Sequence, residues 1–196
     1  MSGDSIRDGE SVGSVSAGLA AVVISCLLLS GCDSSRHEND AADTSVAKID
    51  VPVTDLVWAV NVGGPAYEGV DGTPYEAEGS VQGGTVGQIK QVKGSQDPFL
   101  YQTYREGDIR VAHALPDGTY DITFHFAEPW SAERYAPGNR VFDAFAEDER
   151  VIDDLDVMLS RDGKVMSALT VTAPNVVVAD GELNIRFEAS AGQPTL

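Results

Sequence analysis

Between residues 119 and 126 the chain alternates strictly: Tyr120, Ile122, Phe124 and Phe126 fall on one side of an extended backbone, and Thr119, Asp121, Thr123 and His125 on the other. A period of two held over a whole segment predicts a strand with one buried and one solvated face. Residues 182–188 repeat the pattern, with Leu183, Ile185 and Phe187 opposite Asn184, Arg186 and Glu188. Pro116-Asp117-Gly118 and Ala179-Asp180-Gly181 stand just before these two segments and supply turns, the glycine taking the positive φ that a tight turn requires. Further strands are expected at 56–62, 99–105, 108–114, 140–146, 164–172 and 175–178. No stretch of about ten residues keeps a helical period with caps. The pattern therefore predicts an all-β fold, an antiparallel β-sandwich of jelly-roll type with a flexible N-terminal tail. Residues 62–96 carry glycines at 63, 64, 69, 72, 79, 83, 84, 87 and 94 and few apolar runs, and read as a long loop over one rim.

Upstream of the alternating segments the texture changes twice. Residues 18–31 hold the apolar runs Leu19-Ala-Ala-Val-Val-Ile24 and Leu27-Leu-Leu29 and end in Leu29-Ser30-Gly31-Cys32. The run is short for a bilayer span and reads as the core of an export signal, residues 1–31, with Leu-Ser-Gly-Cys as the lipobox of an exported prokaryotic lipoprotein and Cys32 as the lipidated residue. The preceding stretch sets Arg7 against Asp4, Asp8 and Glu10, where export signals usually begin positively charged, so an uncleaved membrane anchor is the alternative. Residues 32–54 are rich in Asp, Ser and Ala and read as a linker, and the folded domain is expected at 55–196, outside the cytoplasm and tethered at the membrane or cell surface. With Cys32 lipidated and Cys26 removed, no disulfide is available.

Charge narrows the partners. The chain has 31 acidic and 13 basic residues, a formal net charge of -18, and its lysines are Lys48, Lys90, Lys93 and Lys164. Nucleic acid and anionic membrane surfaces would be repelled by such a field. An acidic, lysine-poor surface is also what adaptation to high salt produces, because screening removes the self-repulsion.

Four short motifs in fixed order stand out: Trp58-Ala-Val-Asn-Val-Gly-Gly64, Leu100-Tyr-Gln-Thr103, His125-Phe-Ala-Glu128 and Arg140-Val-Phe-Asp143. Together they resemble the malectin family of carbohydrate-binding domains, and the resemblance runs from about Leu56 to the C-terminus. It implies a β-sandwich and non-catalytic glycan binding. Within it, Asn61 and Gly63-Gly64 look like a strand end and turn, Tyr101, Phe126 and Phe142 like core, and Glu128, Arg140 and Asp143 like polar groups fixing a loop between strands. Family members continue past the segment equivalent to Gln193–Leu196 with one more short apolar strand, so a last strand is missing here or its place is filled by a partner chain or a rearranged strand.

The diglucose site of the animal members carries over only in part. The aromatic after Phe-Ala-Glu is matched by Trp130, while its neighbour is Ser131. The tyrosine beyond Leu-Tyr-Gln-Thr falls on Glu106, with Tyr104 as a substitute beside Arg105. A tyrosine of the glycine-rich loop falls near Gly84, and an aspartate near Gly192. A pyranose presents a flat C–H face to Trp or Tyr while its hydroxyls pair with planar polar groups. On that chemistry the candidate carbohydrate-binding residues are Trp130, Tyr104, Arg105 and Tyr135, and, in the glycine-rich segment, Tyr67, Asp71 and Tyr75. Asp71-Gly-Thr-Pro74 is also an ordinary turn sequence, and Trp130 would equally serve as a cap on the core.

Other chemistry has little support. Asp148, Glu149, Asp153, Asp154 and Asp156 could offer oxygens to calcium but lack the spacing of a calcium loop, so no metal site is assigned. His113 and His125 are expected on exposed strand faces, without a nucleophile elbow or ligand spacing around them. Glu128 has no partner carboxylate at a motif spacing. No enzyme activity and no cofactor are expected. The expected partners are a glycan or polysaccharide and a membrane lipid anchor, the alternative function being a structural or adhesion module contacting envelope proteins.

Overall fold

The structure, a computed structural model, describes residues 22–26, 55–130 and 136–196. Among them are β1 (Val22–Cys26), β2 (Asp55–Asn61), β3 (Tyr67–Glu68), β4 (Pro74–Ala77), β5 (Val81–Gln88), β6 (Thr103–Ala114), β7 (Gly118–Ala127), β8 (Val141–Ala146), β9 (Glu149–Leu155), β10 (Ala168–Val178) and β11 (Glu182–Ala191). Single 3-10 turns stand at Leu100–Gln102 and Leu159–Arg161. The strands form two sheets, ordered β10-β7-β1-β2-β4-β3 and β5-β6-β11-β8-β9. All pairs are antiparallel except β2 with β4, which run parallel at Val60 opposite Glu76 and Asn61 opposite Ala77. This is the all-β sandwich that the alternation predicts.

Period two decides what is inside. The predicted inner face of β7 is buried in full, and so is that of β11. Beside β11 in the five-stranded sheet, β6 and β8 add Ile109, Val111, Phe142, Ala144 and Ala146. The aromatic rings meet edge to face: Phe124 against Phe187 at 6.1 Å between centroids, Phe126 against Phe142 at 5.7 Å. Such contacts add to the area they bury because the positive ring edge meets the negative face. A second apolar cluster lies toward one rim, where Ala59, Tyr75, Ile89, Val92, Leu100, Tyr101, Tyr104, Ala127 and Ala168 pack together. Ala59 alternates along β2 with Trp58 and Val60 of the main core, so β2 is covered on both faces.

The glycine-rich segment is not one long loop. It contains β3, β4 and β5, and its glycines at 63, 83, 84 and 87 stand where backbone or ring comes too close for a side chain. At Gly83, φ is +75° and a Cβ would overlap the Asp108 carbonyl oxygen; at Gly87 it would overlap the Tyr104 ring. The register between β5 and β6 slips between Gly83 and Thr85, a bulge that these conformations permit. Two further expectations are corrected by merger. The strands expected at 99–105 and 108–114 are a 3-10 turn followed by one continuous β6, and those at 164–172 and 175–178 are one β10 with an irregularity between Ala173 and Val176.

Residues Val22–Cys26, read from sequence as part of an export signal, form a strand between β2 and β7. The proposed linker at 32–54 and Cys32 lie outside the described residues, apart from which the fold runs from Asp55. Among the described residues no helix is long and apolar enough to cross a membrane.

Candidate functional site

The four motifs converge at one rim through hydrogen bonds between them. At the end of β2, Gly64 N–H donates to the Asn61 carbonyl at 3.2 Å, closing a turn in which Gly63 has φ +73°. Thr103 Oγ1, at the start of β6, lies 3.2 Å from Asn61 Oδ1 and 2.9 Å from the Val62 carbonyl, while Asn61 Nδ2 donates to the Pro65 carbonyl at 2.9 Å. The Asn-Val-Gly-Gly and Leu-Tyr-Gln-Thr motifs are therefore two halves of one half-buried turn.

The other two motifs meet in an ion cluster. Arg140 Nε donates to Glu128 Oε2 at 2.8 Å and its Nη2 to Glu106 Oε2 at 2.8 Å; Nη1 donates to the Gln193 carbonyl. Arg140 and Glu128 are 2% and 1% exposed, so each charge depends on the others for solvation. Burial pushes the Glu128 carboxyl up, against the opposing pull of Arg140 and the Trp130 N–H. Asp143, the last residue of its motif, faces elsewhere: it accepts from Arg150 at 3.2 Å and from the Asp154 N–H at 2.8 Å.

Trp130 is half-buried on this cluster. Its backbone N–H donates to Glu128 Oε1 at 3.1 Å and its indole N–H to Glu106 Oε2. Arg105 is locked rather than available: it pairs with Glu78 through Nε and Nη2, and donates to the Gly83 carbonyl through Nη1. Burial raises the Glu78 carboxyl, but the Arg105 guanidinium and the Gly63 N–H at 2.7 Å hold it below the usual range. Tyr104 and Tyr75 belong to the second apolar cluster, and their rings offer no face to solvent; the space left by Gly87 is what takes the Tyr104 ring inward. Asp71 is exposed and occupied with a turn, accepting from Thr73 N and Thr73 Oγ1, both at 3.0 Å. Tyr135 lies outside the described residues.

Tyr67 is placed by a buried anchor, Asp97, that carries no mark in the sequence. Asp97 is fully buried, accepts the Tyr67 hydroxyl at 2.9 Å and the Val70 N–H at 3.0 Å, and its own backbone N–H donates to Ser95 Oγ at 3.0 Å. Burial and the bond to Asp97 push the Tyr67 phenol up to about 12. Against Tyr67 leans Phe99, 4.8 Å between centroids and tilted by 38°. Phe99 is 50% exposed. It borders a cleft of about 340 Å³ lined by Asn61, Pro65, Gln88, Ile89, Phe99 and Gln102, with Lys90 and Thr103 at its sides. Phe99 was expected inside a strand; the 3-10 turn at Leu100–Gln102 replaces the period of two and leaves Leu100 and Tyr101 buried with Phe99 outside.

Two other candidate features are differently built. A hollow of about 410 Å³ on the five-stranded sheet holds Gln82, Arg110, Asn184 and Arg186, but its aromatic, Phe145, is covered by the Arg186 guanidinium 3.8 Å above the ring. Asp143, Asp153 and Asp154 converge closely enough for a cation, and Arg150 already supplies one, pairing with Asp143 at 3.2 Å and Asp153 at 2.7 Å. Asp156, also considered for calcium, bonds the Gly138 and Leu159 N–H groups. His125 is buried rather than exposed, its Nδ1 3.4 Å from the Tyr101 hydroxyl, and burial pushes it down to about 3. His113 is half-buried and stacks on Trp58 at 3.9 Å.

Comparison with known proteins agrees with this fold. Mouse (Mus musculus) malectin is 31% identical over 144 residues, which is 69% of this chain and 47% of that protein, so the chain spans about half the length of such relatives. Among solved structures, Bacteroides uniformis β-glucuronidase superposes with a TM-score of 0.58 at 22% identity, covering 71% of this chain and 17% of that one. The plant receptor-like kinase structure in which peptide RALF23 is bound with FER and LLG2 superposes with a TM-score of 0.58 at 15% identity, over 71% of this chain and 46% of that one. At these identities the structural likeness speaks for the fold alone. The family model described as the Malectin domain matches residues 56–196, the same stretch that holds the joined motifs, and the chain belongs to that family.

Proposed function

We propose that this domain is a non-catalytic, lectin-like module that binds a glycan at the rim cleft, with the exposed face of Phe99 as the stacking surface. The carrying observation is the pairing of that half-exposed ring, propped by Tyr67 on the buried Asp97, with a cleft whose walls carry Gln88, Gln102 and Lys90. A sugar ring stacks its C–H face on such an aromatic while amides and an ammonium group take its hydroxyls. Trp130, fixed through Glu106 and Glu128 at the end of β7, is the second aromatic proposed to take part. The domain is proposed to work outside the cytoplasm, tethered through a lipid on Cys32, which mass spectrometry of the mature N-terminus would test.

Calorimetric titration with a panel of glucans and related oligosaccharides tests the binding reading. Phe99→Ala should weaken retention roughly tenfold or more while leaving the melting temperature close to the parent's, since an exposed ring contributes little to the core. Absence of binding to any glycan by folded protein would overturn the proposal. Loss on Trp130→Ala with Phe99→Ala unchanged would move the site along the rim.

A second reading, a structural or adhesion module for envelope protein partners, is favoured by the burial of Tyr75 and Tyr104, which thins the set of aromatics at the rim. The plant neighbour solved with a bound peptide is a precedent for that fold only. Unchanged glycan behaviour in both aromatic variants, with altered complex formation, would favour this reading.

A further inference from the structure

β2 and β7 do not pair with each other. One strand's width separates them, and β1 occupies it, antiparallel to both: Ile24 stands opposite Trp58 on one side and Ile122 on the other, Val23 opposite Ala59 and Thr123. The two walls of this gap are core strands. Trp58 and Val60 on β2, and Tyr120 and Ile122 on β7, are buried in the main apolar cluster. Take the middle strand away and two facing edges of N–H and C=O groups are left inside a sheet whose inner face is already committed to the core, the arrangement that recruits another strand.

The occupant is Val22-Val-Ile-Ser-Cys26, part of the apolar run that also reads as an export signal. Residues 27–54 separate it from β2. A connection of that length can span up to roughly 90 Å, so no short turn imposes the register. The ladder on either side and the apolar composition do that instead. The same segment suits two environments: a bilayer or its export machinery, and the middle of this sheet. Cleavage ahead of Cys32 would sever it from the domain.

We propose that the gap between β2 and β7 is a strand-acceptor site whose ligand is a short, extended, apolar peptide, and that Val22–Cys26 is its exchangeable occupant. The segment binds by main-chain pairing to both walls, so a cut in residues 33–50 turns an internal strand into a bound peptide that another copy can replace. This proposal is independent of glycan binding at the rim.

The test uses the full chain with a protease site inserted within residues 33–50. After cutting, the N-terminal fragment should co-elute with the domain and be displaced by excess labelled synthetic peptide of residues 18–29. In the uncut chain, Ile24→Pro removes an N–H from the centre of the ladder and should lower the melting temperature by several degrees, with Ser30→Pro as a control that does not. The synthetic peptide should restore the Ile24→Pro melt. If Ile24→Pro fails to fold, the cutting experiment still decides. A fragment that separates and leaves the melt unchanged, or an Ile24→Pro chain that melts within a degree of the parent, overturns the proposal. A swapped dimer of the cut chain supports it, because the site is then filled from a second copy.

Discussion

His125 shows how a single position can misread its own pattern. By alternation it belongs on the outer face of β7, and it is on that face, but the segment carrying Tyr101 covers it and both Tyr101 and Thr170 approach its Nδ1 at 3.4 Å. Burial holds the imidazole down to about 3, so the folded chain keeps it neutral while the unfolded chain protonates below its ordinary 6.5. The unfolded state then binds the extra proton, and stability is lost as pH falls from about 6.5 toward 3, at up to about 1.4 kcal/mol per pH unit. Above that window the residue has no pH effect. Denaturant titrations at pH 7 and pH 4 should show His125→Gln losing on the order of 3 kcal/mol less than the parent over that interval. An equal loss in both proteins would mean that the imidazole is protonated in the folded state. Phe99 makes the converse point: its exposure depends on a 3-10 turn, and an apolar residue ahead of Leu100-Tyr-Gln has no mark in sequence that distinguishes a ring on the surface from one in a strand.

At the scale of elements, the legible strands were those that bury one face completely. β7 and β11 announce themselves by alternation, and the turn glycines ahead of them fix where they start. β5 was hidden because its glycines read as loop. In fact they permit a strand to run where neighbouring chain leaves no room: Gly83 beside Asp108 and Gly87 beneath Tyr104. Gly83→Ala combines a backbone overlap with a positive φ, and should cost more than Gly79→Ala, where a Cβ meets nothing within 4 Å. The expected difference is about 2 kcal/mol or more in denaturant stability, with equal costs counting against the bulge. β9 was hidden for another reason. Glu149, Arg150, Asp153 and Asp154 give it a polar look, and register shifts against β8 break the period, so Ile152 and Leu155 do not show up as one face. Candidate site residues divided along the same line. Trp130 stands half-buried beside the Glu128 motif that it follows in sequence, whereas the Tyr104 ring, expected at the surface, is buried because the cavity that receives it comes from a glycine on another strand.

For the whole molecule, charge is the dominant feature that packing does not explain. Asp108, Asp117, Asp148, Asp153, Asp154, Asp162 and Asp180 are exposed, and exposed ion pairs such as Arg110 with Asp108 and Lys164 with Asp162 neutralise few of them. A net charge of -18 on 196 residues repels itself, and salt screens that repulsion over about 10 Å at 0.1 M and about 3 Å at 1 M. The melting temperature should therefore climb between roughly 0.05 M and roughly 2 M sodium chloride, and a flat profile would show that the acidic surface costs the fold nothing. The buried Arg140 cluster, being shielded from solvent, should contribute little to that slope.

The two tryptophans sit in unlike settings, and this makes the chain its own optical instrument. Trp58 is buried and lies flat against the His113 imidazole at 3.9 Å, whereas the indole of Trp130 is held on Glu106 at the rim. Unfolding should thus expose the first to water and shift its emission to the red, and anything that settles on the rim should recolour the second. A Trp130→Phe chain would isolate the interior signal, so that melting and ligand capture could be followed separately in one cuvette.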